Sequence, residues 1–284
     1  MTDRLGTALV VLSALGFGTL GIFGKLATSA GLSIPTVLTF RFLLATVLVW
    51  VWLGARGKLR LLSGRALVVG LGLGCFGYAT MSLLYFVGLE YLTAGLTGIV
   101  LYTYPVFVVA LAVAVLDEPV TRRTISALVV ALAGVVLITG AEPAGVDPRG
   151  VLIVLLAAIV YATYIVVSRK TLSTVDSQTL TAHVLPAATV SFLAFGSATG
   201  QLSIPTTGES WLVIGGIAVV ATVVPILAFF AGLSRIGASR TSVVSTIEPA
   251  GTLALGAIVL GEPVTVVTLA GGALVVIGVL LVES

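Results

Sequence analysis

Apolar residues fill this chain in runs of about twenty, and the polar residues sit mostly between the runs. A hydrocarbon core about 30 Å thick is crossed by roughly 20 residues of helix. Ten segments reach that length, at about 6–28, 34–54, 66–87, 93–116, 120–140, 150–168, 178–198, 211–232, 241–260 and 264–282. A membrane β-barrel would need apolar and polar residues to alternate along each strand. Stretches such as 151–160 are apolar on every side. The pattern predicts an all-α membrane protein of ten transmembrane helices. Its connections are short, and several carry turn-formers, as at 141–145 and 200–208.

Composition supports this. Of 284 residues 58% are hydrophobic and 9% charged, with a mean hydropathy of +1.23; soluble domains are nearer a quarter charged. The basic residues lie in short connections, a distribution that supports membrane orientation strongly and nucleic-acid binding only weakly, so no nucleic-acid partner is expected. The single cysteine, Cys75, excludes an intrachain disulfide framework and a thiolate metal cage. With the N-terminus placed inside, the inner connections hold Arg4, Arg56, Lys58, Arg60, Arg65, Arg122, Arg123, Arg169, Lys170, Arg235 and Arg240, eleven of the fourteen basic residues. Arg149 alone falls outside, beside Glu90, Glu142, Asp147, Glu209 and Glu262. Cytoplasmic N- and C-termini satisfy the positive-inside rule. Trp50, Trp52 and Trp211 fall at expected interfaces.

The chain is also doubled. Shifted by 144 residues, 88–137 matches 232–281 at 18 of 50 positions, and Glu118-Pro119-Val120-Thr121 meets Glu262-Pro263-Val264-Thr265 without a gap. Residues 1–143 and 144–284 thus read as two five-helix halves. Because five is odd, the second half enters the membrane from the opposite side, giving two inverted repeats suited to alternating access. Arg4 and the run 5–23 could pass for a signal peptide. They align with the sixth helix, so they are expected to stay in the mature protein.

Charges within the spans are costly and point to function. Arg41 lies about 10 Å deep in the second helix, as an anchor for an anionic group, a structural partner or a snorkelling side chain. Glu248 precedes Pro249 in the ninth helix; it is either ionised against Arg41 or protonated and available for proton coupling. Its counterpart in the first half is Tyr104, beside Pro105, so the two prolines are paired candidates for gating kinks. Lys25 can snorkel or meet substrate. Tyr78, Tyr85, Tyr102, Tyr104, Tyr161 and Tyr164 lie within spans, where they line a cavity or pack in the core. Tyr78 and Tyr85, two turns apart, share a face. His183 reads as a hydrogen-bonded helix histidine without metal partners. Gly70 and Gly74 form a small-residue packing surface, as do Gly16, Gly18, Gly21 and Gly24. The duplicated Glu-Pro reads as architecture, with Pro119 and Pro263 in the first turns of the helices that follow. No phosphate-binding loop, His-Glu-x-x-His run or other cofactor or metal signature is present.

Thr39-Phe40-Arg41-Phe42, Gly88 through Thr121, Gly232 through Thr265 and the Glu248-Pro249 pair together resemble the EamA-type branch of the drug/metabolite transporter superfamily, over essentially the full length. Gly18 with Lys25 resembles the first-helix pattern, with Phe17 where tryptophan is frequent. The resemblance implies a secondary carrier of the cytoplasmic membrane, not an enzyme, with a central cavity between the halves. Expected partners are a small-molecule substrate and membrane lipid. The substrate is an amino acid or similar zwitterionic or amphipathic solute, and export is favoured on the resemblance alone. Proton coupling and a monomeric or homodimeric state are open. A channel-like facilitator, or an uptake or exchange carrier for another metabolite or drug, is the alternative.

Overall fold

A computed structural model describes residues 3–92, 94–139, 147–260 and 264–283. The helices are α1 (Arg4–Gly18), α2 (Leu20–Ser29), α3 (Ile34–Ala55), α4 (Gly64–Gly72), α5 (Thr80–Gly88), α6 (Ala94–Leu101), α7 (Tyr104–Leu116) and α8 (Arg122–Thr139) in the first part of the chain. There follow α9 (Pro148–Thr171), α10 (Ser177–Ala198), α11 (Gly208–Ala218), α12 (Val224–Ser245), α13 (Glu248–Leu260) and α14 (Val266–Glu283). Wide π-helical turns at Leu73–Ala79 and Val219–Val223 join α4 to α5 and α11 to α12. Among the described residues these pieces run on as ten helical rods, and no strand is present.

Among the described residues six helices are long and apolar enough to cross a membrane by length and composition. Three of the ten expected spans are broken within their length. The first rod parts at Thr19, the fourth at Tyr102-Thr103 and the ninth at Thr246-Ile247. The expected connection between the eighth and ninth spans shrinks to one residue, Gly237, whose φ of 81° no side-chain-bearing residue adopts readily. Pro105 and Pro249 do not kink continuous helices. Each is the second residue of a new helix, where a missing N–H costs nothing.

Packing follows the small residues. α8 lies on α14, α1 on α12, α3 on α10, and α9 on α5 and α7. The core is sealed by Phe42, Phe192, Phe230, Leu180 and Leu185, all fully buried. Outward, Leu212 is 79% and Ile258 81% exposed, which a lipid tail tolerates and water would not. His183 behaves as expected. Its Nδ1 lies 2.8 Å from the Thr179 carbonyl, and its Nε2 accepts the Leu62 N–H at 3.1 Å, tying the 56–63 connection to α10. Trp50 donates to the Ala182 carbonyl at 2.7 Å, and Trp211 to that of Pro205 at 3.1 Å.

Gly74 makes the tightest approach to the backbone of another helix among the described glycines. A Cβ there would collide with the Val184 carbonyl and the Ala187 methyl on α10. Gly74→Val is therefore expected to destabilise the fold by about 1–3 kcal/mol through overpacking, read as a lower unfolding temperature in detergent. An unchanged temperature would show that the Leu73–Ala79 turn and α10 part freely at this contact.

Candidate functional site

Between these helices lies a cavity of about 680 Å³. It is lined at one end of the bundle by Leu32, Ile34 and Leu89, near the close of α2, the start of α3 and the end of α5. Seven residues singled out in the sequence line it: Arg41, Tyr78, Tyr85, Tyr102, Tyr104, Tyr161 and Glu248. Pro249 joins them, whereas Pro105 is buried outside the lining. The side chain of Lys25, and both residues of Glu262-Pro263, lie outside the described residues.

Arg41 is set two turns into α3, whose start is fixed by the Ser33 hydroxyl accepting the Thr36 N–H and by Pro35 in the first turn. The residue is 5% exposed. Its guanidinium rests over the Phe42 ring at 4.8 Å, and Nη2 donates to the Tyr78 hydroxyl at a long 3.5 Å. Nε has no partner. A guanidinium has five donors in a rigid fork, so this one is held in place by packing and left with donating capacity unused.

Glu248 is the first residue of α13, and Tyr104 the first of α7. Each stands where a helix begins inside the bundle, at the end whose free N–H groups favour negative charge. The Tyr102 hydroxyl faces the Glu248 carboxyl, and Tyr78, Tyr85, Tyr104 and Tyr161 lie within its electrostatic reach. The rings form a continuous wall: Tyr102 to Tyr104 at 6.2 Å, Tyr104 to Tyr161 at 4.7 Å and Tyr161 to Tyr164 at 6.0 Å between centroids. Tyr164 is itself buried against Tyr78 and Phe230, in the core.

Among the described residues no ion pair joins Arg41 to Glu248; the pairs formed by Arg169 with Glu118 and by Arg235 with Asp3 lie elsewhere. An arginine and a carboxyl thus share one cavity without pairing with each other. Sequence reasoning missed Met81, Ser82, Phe86 and Thr252 in the lining. Ser82 lies four residues after Tyr78 and three before Tyr85, the spacing of one helix face, so that signal was there to be read. Thr252 donates to the carbonyls of Gly18 and Glu248, both at 3.1 Å, and fastens α13 to α1. Among the described residues no cluster of three or more metal-capable side chains occurs.

The model of the EamA-like transporter family matches the chain twice, over residues 4–140 and 148–284. The chain belongs to this family. An EamA-like transporter carries solutes and catalyses no reaction, and its apolar helices make this one a multi-pass protein of the cell membrane. Similar proteins include an uncharacterized transporter, YcbK, of Bacillus subtilis, 28% identical over 94% of this chain and 88% of its own. An uncharacterized transporter of Archaeoglobus fulgidus is 27% identical over 98% of this chain and 96% of its own. A crystal structure of a protein 21% identical superposes with a TM-score of 0.83, covering 97% of this chain and 95% of that one, a likeness of fold.

Burying an incompletely bonded guanidinium opposes stability. For this transporter Arg41→Met is expected to leave the unfolding temperature within about 2 °C of wild type or above it, while substrate binding falls at least about tenfold. Thermal unfolding and a binding titration on the same preparation separate these effects. A large drop in unfolding temperature would make Arg41 a structural residue.

Proposed function

We propose that this EamA-like transporter exports a small zwitterionic or amphipathic metabolite of the amino-acid class, by alternating access of two inverted five-helix halves. One observation carries the substrate class. Arg41 and Glu248, unpaired with each other, line a single cavity walled by tyrosines. A carboxylate suits the free guanidinium donors, an ammonium suits the carboxyl, and an apolar or aromatic side chain suits the phenol wall. In this reading Glu248 also carries the coupled proton, releasing it as the ammonium arrives.

The two-half mechanism is supported by features at the 144-residue offset. The breaks at 102–103 and 246–247 correspond, and so do the turns at Leu73–Ala79 and Val219–Val223 in large part. Helix contacts also exchange under the offset: α1 packs on the eighth rod, and its counterpart α9 packs on the third. Halves bounded at 143 and 144, with both termini cytoplasmic, accord with the eleven basic residues of the inner connections.

Flux in proteoliposomes tests the proposal, with a panel of amino acids and other small metabolites and with or without an imposed pH gradient. Saturable movement of one zwitterionic class is expected. The gradient should accelerate wild type several-fold and leave Glu248→Gln unaffected. Unsaturable leakage of many solutes would indicate a channel-like facilitator, and saturable flux of anions alone would remove the zwitterion.

A further inference from the structure

At the end of the bundle opposite Leu32 and Ile34, a second and polar space of about 500 Å³ is bordered by Asp3, Glu118, Arg169, Arg235, Gly237 and Ser239. The sequence suggested that Glu118 belongs to the start of the helix that follows it. The structure corrects this: α8 begins only at Arg122, and the Thr121 hydroxyl accepts the Thr124 N–H there. Glu118 reaches instead across the molecule. After α7, Asp117 turns the chain with a left-handed φ of 53°, and the Glu118 N–H returns to the Ala112 carbonyl. One Glu118 oxygen accepts the Ala238 N–H at 2.9 Å, and the other accepts the Ser239 N–H at 3.1 Å and the Ser239 hydroxyl at 3.0 Å. The carboxylate thereby caps the helical segment that restarts after Gly237, filling its free donors as an N-cap does. Gly237 is required twice over, by its φ of 81° and because a Cβ would stand 2.8 Å from Glu118 Oε1.

Two further links close the same end. Arg169, at the end of α9, lies 3.7 Å from Glu118, and Arg235 donates to Asp3 at 3.1 Å. Asp3 also caps α1, and its carboxyl is held below the usual carboxylate range by the Gly6 N–H and then by Arg235, so it stays charged. Glu118 lies in residues 1–143 and its partners 238, 239 and 169 in 144–284; Asp3 and Arg235 divide the same way. Beside this cluster Ser168 and Thr241 are fully buried, with hydroxyls that have no partner. Buried orphan hydroxyls are costly and are satisfied when water enters. Parting of the cluster would let water reach both hydroxyls.

We propose that Glu118 is the latch of an inner gate, clamping the two halves shut beneath the cavity and releasing them when the protein turns inward. The proposal rests on the alternating-access reading above. The capped segment is also joined to the cavity. Tyr104, in the cavity wall, donates to the Ser242 carbonyl at 3.5 Å, so a substrate that moves Tyr104 pulls on the segment Glu118 holds.

Single cysteines on a Cys75→Ser background test the latch, using a membrane-impermeant maleimide added to either face of oriented vesicles. Ser168→Cys reports the buried hydroxyls beside the cluster and Ile34→Cys the cavity mouth. Adding Glu118→Gln is expected to raise the Ser168→Cys labelling rate at least about fivefold, from the face opposite the mouth, and to lower that of Ile34→Cys. Ser239→Ala, which removes one of the three bonds, should give a smaller rise of the same sign and serves if Glu118→Gln does not fold. An unchanged Ser168→Cys rate, or a parallel rise at both positions, overturns the latch and leaves alternating access standing. Reaction of both positions from one face overturns alternating access as well.

Discussion

Inside hydrocarbon a backbone N–H or C=O must find its partner within the protein. This transporter interrupts its helices at three places deep in the bundle and meets that demand the same way each time. Thr19, Thr103 and Thr246 stand at the breaks, and each donates its hydroxyl to the carbonyl three residues back, at 2.6, 2.7 and 2.6 Å. The N–H of each threonine donates to that same carbonyl, at 3.2, 3.2 and 3.1 Å. One side chain closes the old helix, and within two residues a new one begins. The cavity depends on these closures, because they let α7 and α13 start beside it with Tyr104 and Glu248 as their first residues. At Gly237 no side chain is available, and a carboxylate from the 117–121 connection supplies the cap.

That difference explains what was legible in the sequence. Rod lengths and order could be read because lipid imposes a length on every apolar run. The tyrosine wall could be read in part, since Tyr78 and Tyr85 share a helical face. The breaks could not be placed. Prolines at 105 and 249 marked the neighbourhood, yet the chain yields upstream of them, and Thr19 has no proline at all. The reach of Glu118 to residues 238 and 239 was hidden for another reason: a duplicated Glu-Pro reads as local architecture, and a cap made across more than a hundred residues leaves no local pattern. Whether Arg41 meets Glu248 depends on the spacing of helices far apart in sequence, so only the fold could answer it.

Duplication supplies the backbone and divergence the chemistry. Tyr104 and Glu248 occupy corresponding positions at the starts of corresponding helices, one a phenol and the other a carboxyl. Arg41 corresponds to Leu185, which is fully buried. Each ionisable group in the cavity is thus opposed by an uncharged residue in the other half. A symmetric pair of charges would repel at the centre of the bundle and would bind both ends of a solute equally. One arginine and one carboxyl instead give the cavity two chemically different ends.

The polarity of the opposite end has a mechanical logic. Apolar contacts such as Phe42 with Phe192 lose packing and burial together when they part, at a cost of a few kcal/mol for each large side chain. Hydrogen bonds and exposed ion pairs are exchanged for bonds to water at a net cost nearer 1 kcal/mol each. A closure built from Glu118, Ser239, Asp3 and Arg235 can therefore be specific in geometry and still be shallow in energy. Shallowness is what a carrier needs, because a substrate shifts an equilibrium by no more than its differential affinity for the two states. Were that end sealed with phenylalanines, the binding energy available from one small solute would not open it.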